Sequence, residues 1–151
     1  MISPEILRRF ALFSGQDAVM LEQIAMLGGQ TELEAGEWLF HQEEPAEKLF
    51  LLLDGGVELI INFKDELSEQ VATLNNSDVI GWSSLIHPHK YTLAARAVQN
   101  SKFVYFNGSA LRTLMDENPA FGYVFIAKIA EIIGERLTGS YIRLGSLTVQ
   151  G

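Results

Sequence analysis

Apolar residues first recur with helical spacing. Ile6, Leu7 and Phe10, then Val19, Leu21, Ile24 and Ala25, fall on successive turns, so residues 3–28 read as helical. Ser14-Gly15 interrupts the pattern, Asp17 can begin a second helix, and Gly28-Gly29 ends it. From Thr31 to Phe106 the period shortens. Strands are expected at Thr31–Glu34, Trp38–His41, Lys48–Leu53, Val57–Phe63, Gln70–Leu74, Thr92–Val98 and Lys102–Phe106, separated by turn residues. Asn75-Asn76-Ser77-Asp78 is the strongest turn, because Asn and Asp tolerate the left-handed conformation and bond locally. Many short strands point to a small sandwich or barrel. After Asn107 the helical period returns. Asn107 or Ser109 can cap a helix to about Glu117, and Asn118-Pro119 starts another with Pro at its first position. The chain thus divides into N-terminal helices (1–30), a β region (31–107) and C-terminal helices (108–144), with Gly145–Gly151 a loose tail.

The last helix, Pro119 to about Leu144, is apolar over a wide arc. One stripe is Phe125, Ile129 and Ile132; a second is Ile126, Ala130, Ile133, Leu137, Tyr141 and Leu144. One stripe suffices to dock on the β region. The second calls for another cover, most simply the same helix of a second copy, with Ile126, Ile133, Leu137 and Tyr141 at the homodimer contact. The alternative is one broad core face.

Composition narrows the function classes. The 151 residues fit one domain, and 48% hydrophobic with 20% charged residues is globular rather than disordered. A net charge of -8 disfavours nucleic acid and anionic membrane surfaces as partners. There is no cysteine, which excludes disulfides, thiolate-held clusters and thiol catalysis. Met1-Ile2-Ser3-Pro4-Glu5 lacks the form of a secretory signal, and no eighteen-residue apolar run exists, so a cytoplasmic protein is expected.

Candidate chemistry is sparse. No paired carboxylates, phosphate loop or triad stands out, so catalysis is not expected. Ser83 and Ser84 read as helix caps rather than nucleophiles. His87-Pro88-His89 places two imidazoles in one loop, with only distant His41 as a third ligand, and neither a metal site nor haem is expected.

Three phrases, in order, carry a resemblance: Ala35-Gly36-Glu37-Trp38-Leu39-Phe40; Lys48-Leu49-Phe50-Leu51-Leu52-Leu53-Asp54-Gly55-Gly56-Val57; and Asp78-Val79-Ile80-Gly81-Trp82-Ser83-Ser84-Leu85. The chain resembles, over nearly its whole length, the cyclic nucleotide-binding domain of the catabolite-activator type. The resemblance implies a mainly β fold with flanking helices: a β jelly roll with a short cassette helix, and a long C-terminal helix. It implies a small-molecule-sensing regulatory module without a resident cofactor. In the family, a Gly-led helix start faces the cyclic phosphate. A Glu after that Gly accepts from the ribose, and an Arg about ten residues on pairs with the phosphate. Here Gly81 matches the glycine, Trp82 stands at the Glu position and Tyr91 at the Arg position. Two lost hydrogen bonds to charged groups, at about 1.5–3 kcal/mol each, weaken binding by two to four orders of magnitude.

The candidate pocket is therefore Gly81, Trp82, Ser83, Ser84, Lys90, Tyr91 and Thr92, for a small anionic or nucleotide-like ligand. Lys90 or Arg96 could replace the lost cation, and Thr92 could offer a hydroxyl. Matching Arg136-Leu137 to the family's Arg-Leu pair puts Ser140 and Tyr141 near its base-contacting position. Glu43 stands where the family usually has Gly, so that turn is either strained or of another type. The family's activators carry a C-terminal helix-turn-helix domain. At most seven residues follow the long helix here, so DNA binding is not expected.

Three functions follow from the resemblance. The first is a sensor of an altered or weakly bound ligand, signalling through its C-terminal helix to a partner. The second is a ligand-free interaction module with Trp82 and Tyr91 filling the pocket. The third is a true cyclic AMP or cyclic GMP receptor. A pocket above about 300 Å³ would mark the first, and one closed by Trp82 the second.

Overall fold

The computed structural model describes residues 1–150, with side chains through Ser146. Its central strand is β3 (Lys48–Asp54), an unbroken apolar run because both of its faces are covered. Leu49, Leu51 and Leu53 face the helices; Phe50 and Leu52 face the space between two sheets. β8 (Ser101–Asn107) lies beside it, and β1 (Gly28–Leu33) and β6 (Val79–Ile80) complete a sheet of order β1-β8-β3-β6. The facing sheet is β2 (Trp38–Phe40), β7 (Ala94–Ala97), β4 (Val57–Asn62) and β5 (Ser68–Leu74), in the order β2-β7-β4-β5. Every strand pairing is antiparallel, and Phe40, Phe50, Leu52, Val57, Leu59 and Phe103 fill the interior. This is the jelly roll with flanking helices that the resemblance implies.

The seven expected strands are present with shifted ends. β6 went unread because two residues between a turn and Gly81 offer no alternation. Gly28 and Gly29 do not simply end a helix; they open β1. A Cβ on Gly28 would come within 2.8 Å of Ile2, and one on Gly29 within 2.5 Å of the Tyr105 ring. Their hydrogen side chains let the N-terminus and β8 close in.

The helices are capped as their sequences dictate. Ser3 accepts from the Glu5 amide at the start of α1 (Pro4–Leu7), and Asp17 from the Met20 amide at the start of α2 (Ala18–Leu27). A single 3₁₀ turn, Ala11–Phe13, connects them. Asn107, rather than Ser109, caps α3 (Gly108–Glu117), accepting from the Ser109 and Ala110 amides at 2.9 and 3.2 Å. α4 begins at Pro119 and runs to Gln150, past the expected end at Leu144. Gly134, Gly139 and Gly145 face open space, so no packing is lost at them, and no Pro stops the helix. The expected loose tail is therefore helical through Gln150, and Gly151 lies outside the described residues.

The inner stripe of α4 is core. Phe121, Phe125 and Ile129 are 3%, 0% and 1% exposed, and the Phe125 ring stacks on Phe13 at 5.8 Å. Phe125→Ala is expected to cost about 3–5 kcal/mol, read as a lower urea midpoint with unchanged slope. Ile133 is half-buried and packs on the same core, so it belongs partly to the fold rather than wholly to an outer seam. Ile126, Leu137 and Tyr141 remain exposed, and every residue from Leu137 to Ser146 is exposed.

Candidate ligand site

The site forms where β6 leaves the sandwich. Val79 and Ile80 are both buried, and Gly81 then takes φ +86°. A Cβ there would sit 2.9 Å from the Lys48 carbonyl oxygen and 3.2 Å from the Tyr91 ring, so only glycine fits without strain. Gly81 leads a three-residue 3₁₀ turn, Trp82–Ser84, rather than a longer α-helix. The Ser84 amide bonds back to the Gly81 carbonyl at 3.0 Å and the Leu85 amide to Trp82 at 2.9 Å. The amides of Trp82 and Ser83 head the turn and have no partner within it. Ser84 is fully buried, and its Oγ donates to the Gly81 carbonyl at 2.8 Å, a turn-closing role rather than a nucleophilic one.

Tyr91 closes the site. Its ring lies parallel to Phe40, with centroids 3.6 Å apart and an interplanar angle of 8°. The phenol donates to the Lys48 carbonyl at 2.8 Å and accepts from the Lys48 amide at 3.3 Å. Burial pushes the Tyr91 phenol above its usual range. The bond from the Lys48 amide opposes that shift, and the Glu47 and Glu44 carboxylates add to it. The group therefore stays a protonated donor. The remaining cavity is about 30 Å³, lined among others by Phe40, Gly81, Trp82, Ser83, Tyr91 and Thr92. That is an order of magnitude below ordinary ligand pockets.

The cation at this cavity is Arg136 of α4, not either residue proposed from the strand register. Arg96 lies on the outer face, where its Nε donates to Glu58 at 2.7 Å and its guanidinium covers Trp38 at 4.9 Å. Lys90 is exposed beside Pro45, outside the lining. Arg136 lines the cavity and donates to the Val79 carbonyl, two residues before Gly81. Burial pulls its guanidinium below the usual arginine range, while the Asp78 and Glu135 carboxylates oppose that shift. In the sequence Arg136 enters only as half of the Arg-Leu match that places Ser140 and Tyr141, not as a pocket cation. The missed signal was its position after Phe125, Ile129 and Ile132, on the face of α4 that turns inward.

Other candidates separate. Ser140 is exposed, bonding its Oγ to the Arg136 carbonyl at 3.1 Å, and Tyr141 is 62% exposed; neither lines the cavity. The rings of His87 and His89 lie 6.3 Å apart, and His41 lies tilted against Trp38, centroids 4.9 Å apart, instead of joining them. Among the described residues no group of three His, Cys, Asp or Glu could hold a metal ion. Glu43 does adopt the left-handed region, φ +71°, held by a bond from its amide to the Tyr91 carbonyl at 2.8 Å. No helix among the described residues is long and apolar enough to cross a membrane.

Comparison with known proteins agrees with this geometry. The family model described as the cyclic nucleotide-binding domain matches residues 30–118. A solved structure from Geobacter metallireducens GS-15, assigned to the cyclic nucleotide-binding proteins, superimposes with a TM-score of 0.81 and 34% identity, covering 91% of this chain and 99% of that one. The catabolite activator protein of Thermus thermophilus superimposes with a TM-score of 0.72 at 19% identity, over 97% of this chain and 63% of that one. A CRP-like cAMP-activated global transcriptional regulator of Mycobacterium tuberculosis is 23% identical over 115 residues, 76% of this chain. The chain spans about half, 51%, of that regulator's length.

Proposed function

The chain belongs to the cyclic nucleotide-binding domain family, and we propose that it is a regulatory module whose nucleotide pocket is filled by its own side chains. The observation that carries this reading is the cavity of about 30 Å³, closed by Tyr91 on Phe40 and bounded by Trp82. Of the functions the resemblance allows, this is the ligand-free interaction module. A ligand entering would forfeit the ring stack, worth about 0.5–1.5 kcal/mol beyond burial, and the phenol's hydrogen bond, worth about as much. It would also lack the Glu and Arg partners replaced by Trp82 and Tyr91. The working surface is then the exposed seam of α4, Ile126, Leu137 and Tyr141, covered by a second copy, and a further protein partner would read that dimer. Neither DNA nor catalysis forms part of this reading, and its setting is the cytoplasm.

Calorimetry of the purified protein with cyclic AMP and cyclic GMP is expected to show binding no tighter than about millimolar. Mass spectrometry of small molecules released on denaturation is expected to find none in stoichiometric amount. Micromolar binding of either nucleotide would overturn the reading in favour of a true receptor. A different released compound would favour the sensor. That second reading has its own support: Gly81 keeps its left-handed turn, the Trp82 and Ser83 amides remain available, and a guanidinium lines the cavity.

A further inference from the structure

The first turn of α3 sets two demands on adjacent residues. Position 107 must cap the helix, and the Asn107 side-chain oxygen accepts from the Ser109 and Ala110 amides at 2.9 and 3.2 Å. Position 108 must be glycine, because a Cβ there would lie 2.5 Å from the Ser84 carbonyl oxygen. Together they make Asn-Gly, a pair that occurs once in the chain. The pair is chemically labile, because glycine has no side chain to keep its backbone nitrogen from reaching the asparagine side-chain carbon. In that reaction the Gly108 nitrogen gives its proton to water and bonds to Asn107 Cγ. The bond from Cγ to the side-chain nitrogen breaks, and ammonia leaves. The cyclic imide then takes up one water and opens at either carbonyl, giving aspartate or isoaspartate. No oxidant or reductant is needed.

The folded chain withholds the geometry this step requires. Asn107 is exposed, so water reaches it, but Gly108 is buried and its amide donates to the Glu47 carbonyl at 2.7 Å. With Asn107 at ψ 125°, the Gly108 nitrogen is turned away from the side chain. The ring closes only if the backbone rotates there, which breaks the Glu47 contact and the cap together. The two products then differ. Aspartate caps a helix as well as asparagine does, and its charge suits a helix N-terminus. Isoaspartate routes the main chain through the former side chain, adding a methylene at the register position opposite Lys48. The Lys48 amide and carbonyl both hold the Tyr91 phenol, and Gly108 already lies against the Ser84 carbonyl.

We propose that Asn107-Gly108 is a latent modification site gated by the first turn of α3: deamidation waits on that turn opening, and of its two products only aspartate fits back into the fold. This goes beyond the closed-pocket reading and does not depend on it.

The test is peptide mass mapping of the full chain aged at mildly alkaline pH, in buffer and in urea that unfolds it. Deamidation at Asn107 is expected to be at least about tenfold slower in the folded chain, since it tracks the open fraction. Equal rates would overturn the gate. Arg112→Met removes a donor to the Ser84 carbonyl, against which Gly108 packs. It is expected to speed deamidation of the folded chain at Asn107 about threefold or more. Asn76-Ser77, in the turn before β6, is the remote reference. No gain at Asn107, or an equal gain at Asn76, would overturn local gating. For the products, Asn107→Asp is expected to melt at or above the wild-type temperature. Chains deamidated in urea and carrying isoaspartate at 107, isolated by chromatography, are expected to melt well below Asn107→Asp or to fail to refold. An isoaspartate chain that melts with wild type, or Asn107→Asp melting below it, would overturn the claim that only aspartate fits.

Discussion

Trp82→Glu combined with Tyr91→Arg is expected to tighten cyclic AMP binding at least about tenfold over wild type, measured by calorimetry. The pair returns the two polar partners that the family uses. Tyr91→Arg also removes the ring stacked on Phe40 and so opens volume where the cavity is about 30 Å³. Without ligand the new guanidinium lies in a buried place, since Tyr91 is only 5% exposed, and the apo variant should be less stable than wild type. Bound phosphate would repay that cost, so nucleotide should raise the variant's melting temperature more than it raises wild type's. Tyr91→Arg alone should capture part of the gain, with an affinity that falls as salt is added. Trp82→Glu alone should do little, because it adds an anion near the phosphate without a new cation. An unchanged affinity in the double variant would mean that the cassette positions have been misassigned.

Leu137→Glu with Tyr141→Glu is expected to convert the protein to a folded monomer in light scattering. These side chains are 49% and 62% exposed on the isolated chain, so the substitutions leave the core alone. They are a cleaner choice than Ile133, which packs partly on the core. With Ile126, Ala130 and Ile133 they follow the spacing of three and four that brings one helix against another. Four carboxylates across a twofold seam would repel and would be costly to desolvate. A wild-type protein already monomeric at high micromolar concentration would instead leave the seam to some other partner.

Much of this fold is legible in the sequence, and the reasons are local. β3 announces itself as an unbroken apolar run, Pro119 marks the start of α4, and Asp17 and Asn107 mark helix starts by side-chain chemistry. β6 is silent because two residues cannot show a period. The end of α4 was misplaced because glycines weaken a helix only modestly, and where they face open space they remove no contact. The candidate site was half legible. The turn at Gly81 and the substitutions at Trp82 and Tyr91 come straight from the order of residues. That Tyr91 seals the cavity against Phe40 does not, since fifty-one positions separate the two rings along the chain. The cavity's cation was misplaced for the same reason. Arg96 belongs to a strand whose alternation turns it outward to Glu58, whereas Arg136 arrives from a helix that meets the cassette only in three dimensions.

The exposed end of α4 has a mechanical consequence. Past Arg136 the helix runs on for about 20 Å, from Leu137 to Gln150, at 1.5 Å per residue. Such an arm multiplies angle into distance. A pivot of about ten degrees at Arg136, which would move the guanidinium itself by little, would sweep the tip by about 3–4 Å, from the rise per residue alone. Two such arms paired in a dimer could not swing independently, so a small rotation in one jelly roll would be felt as torque on the other.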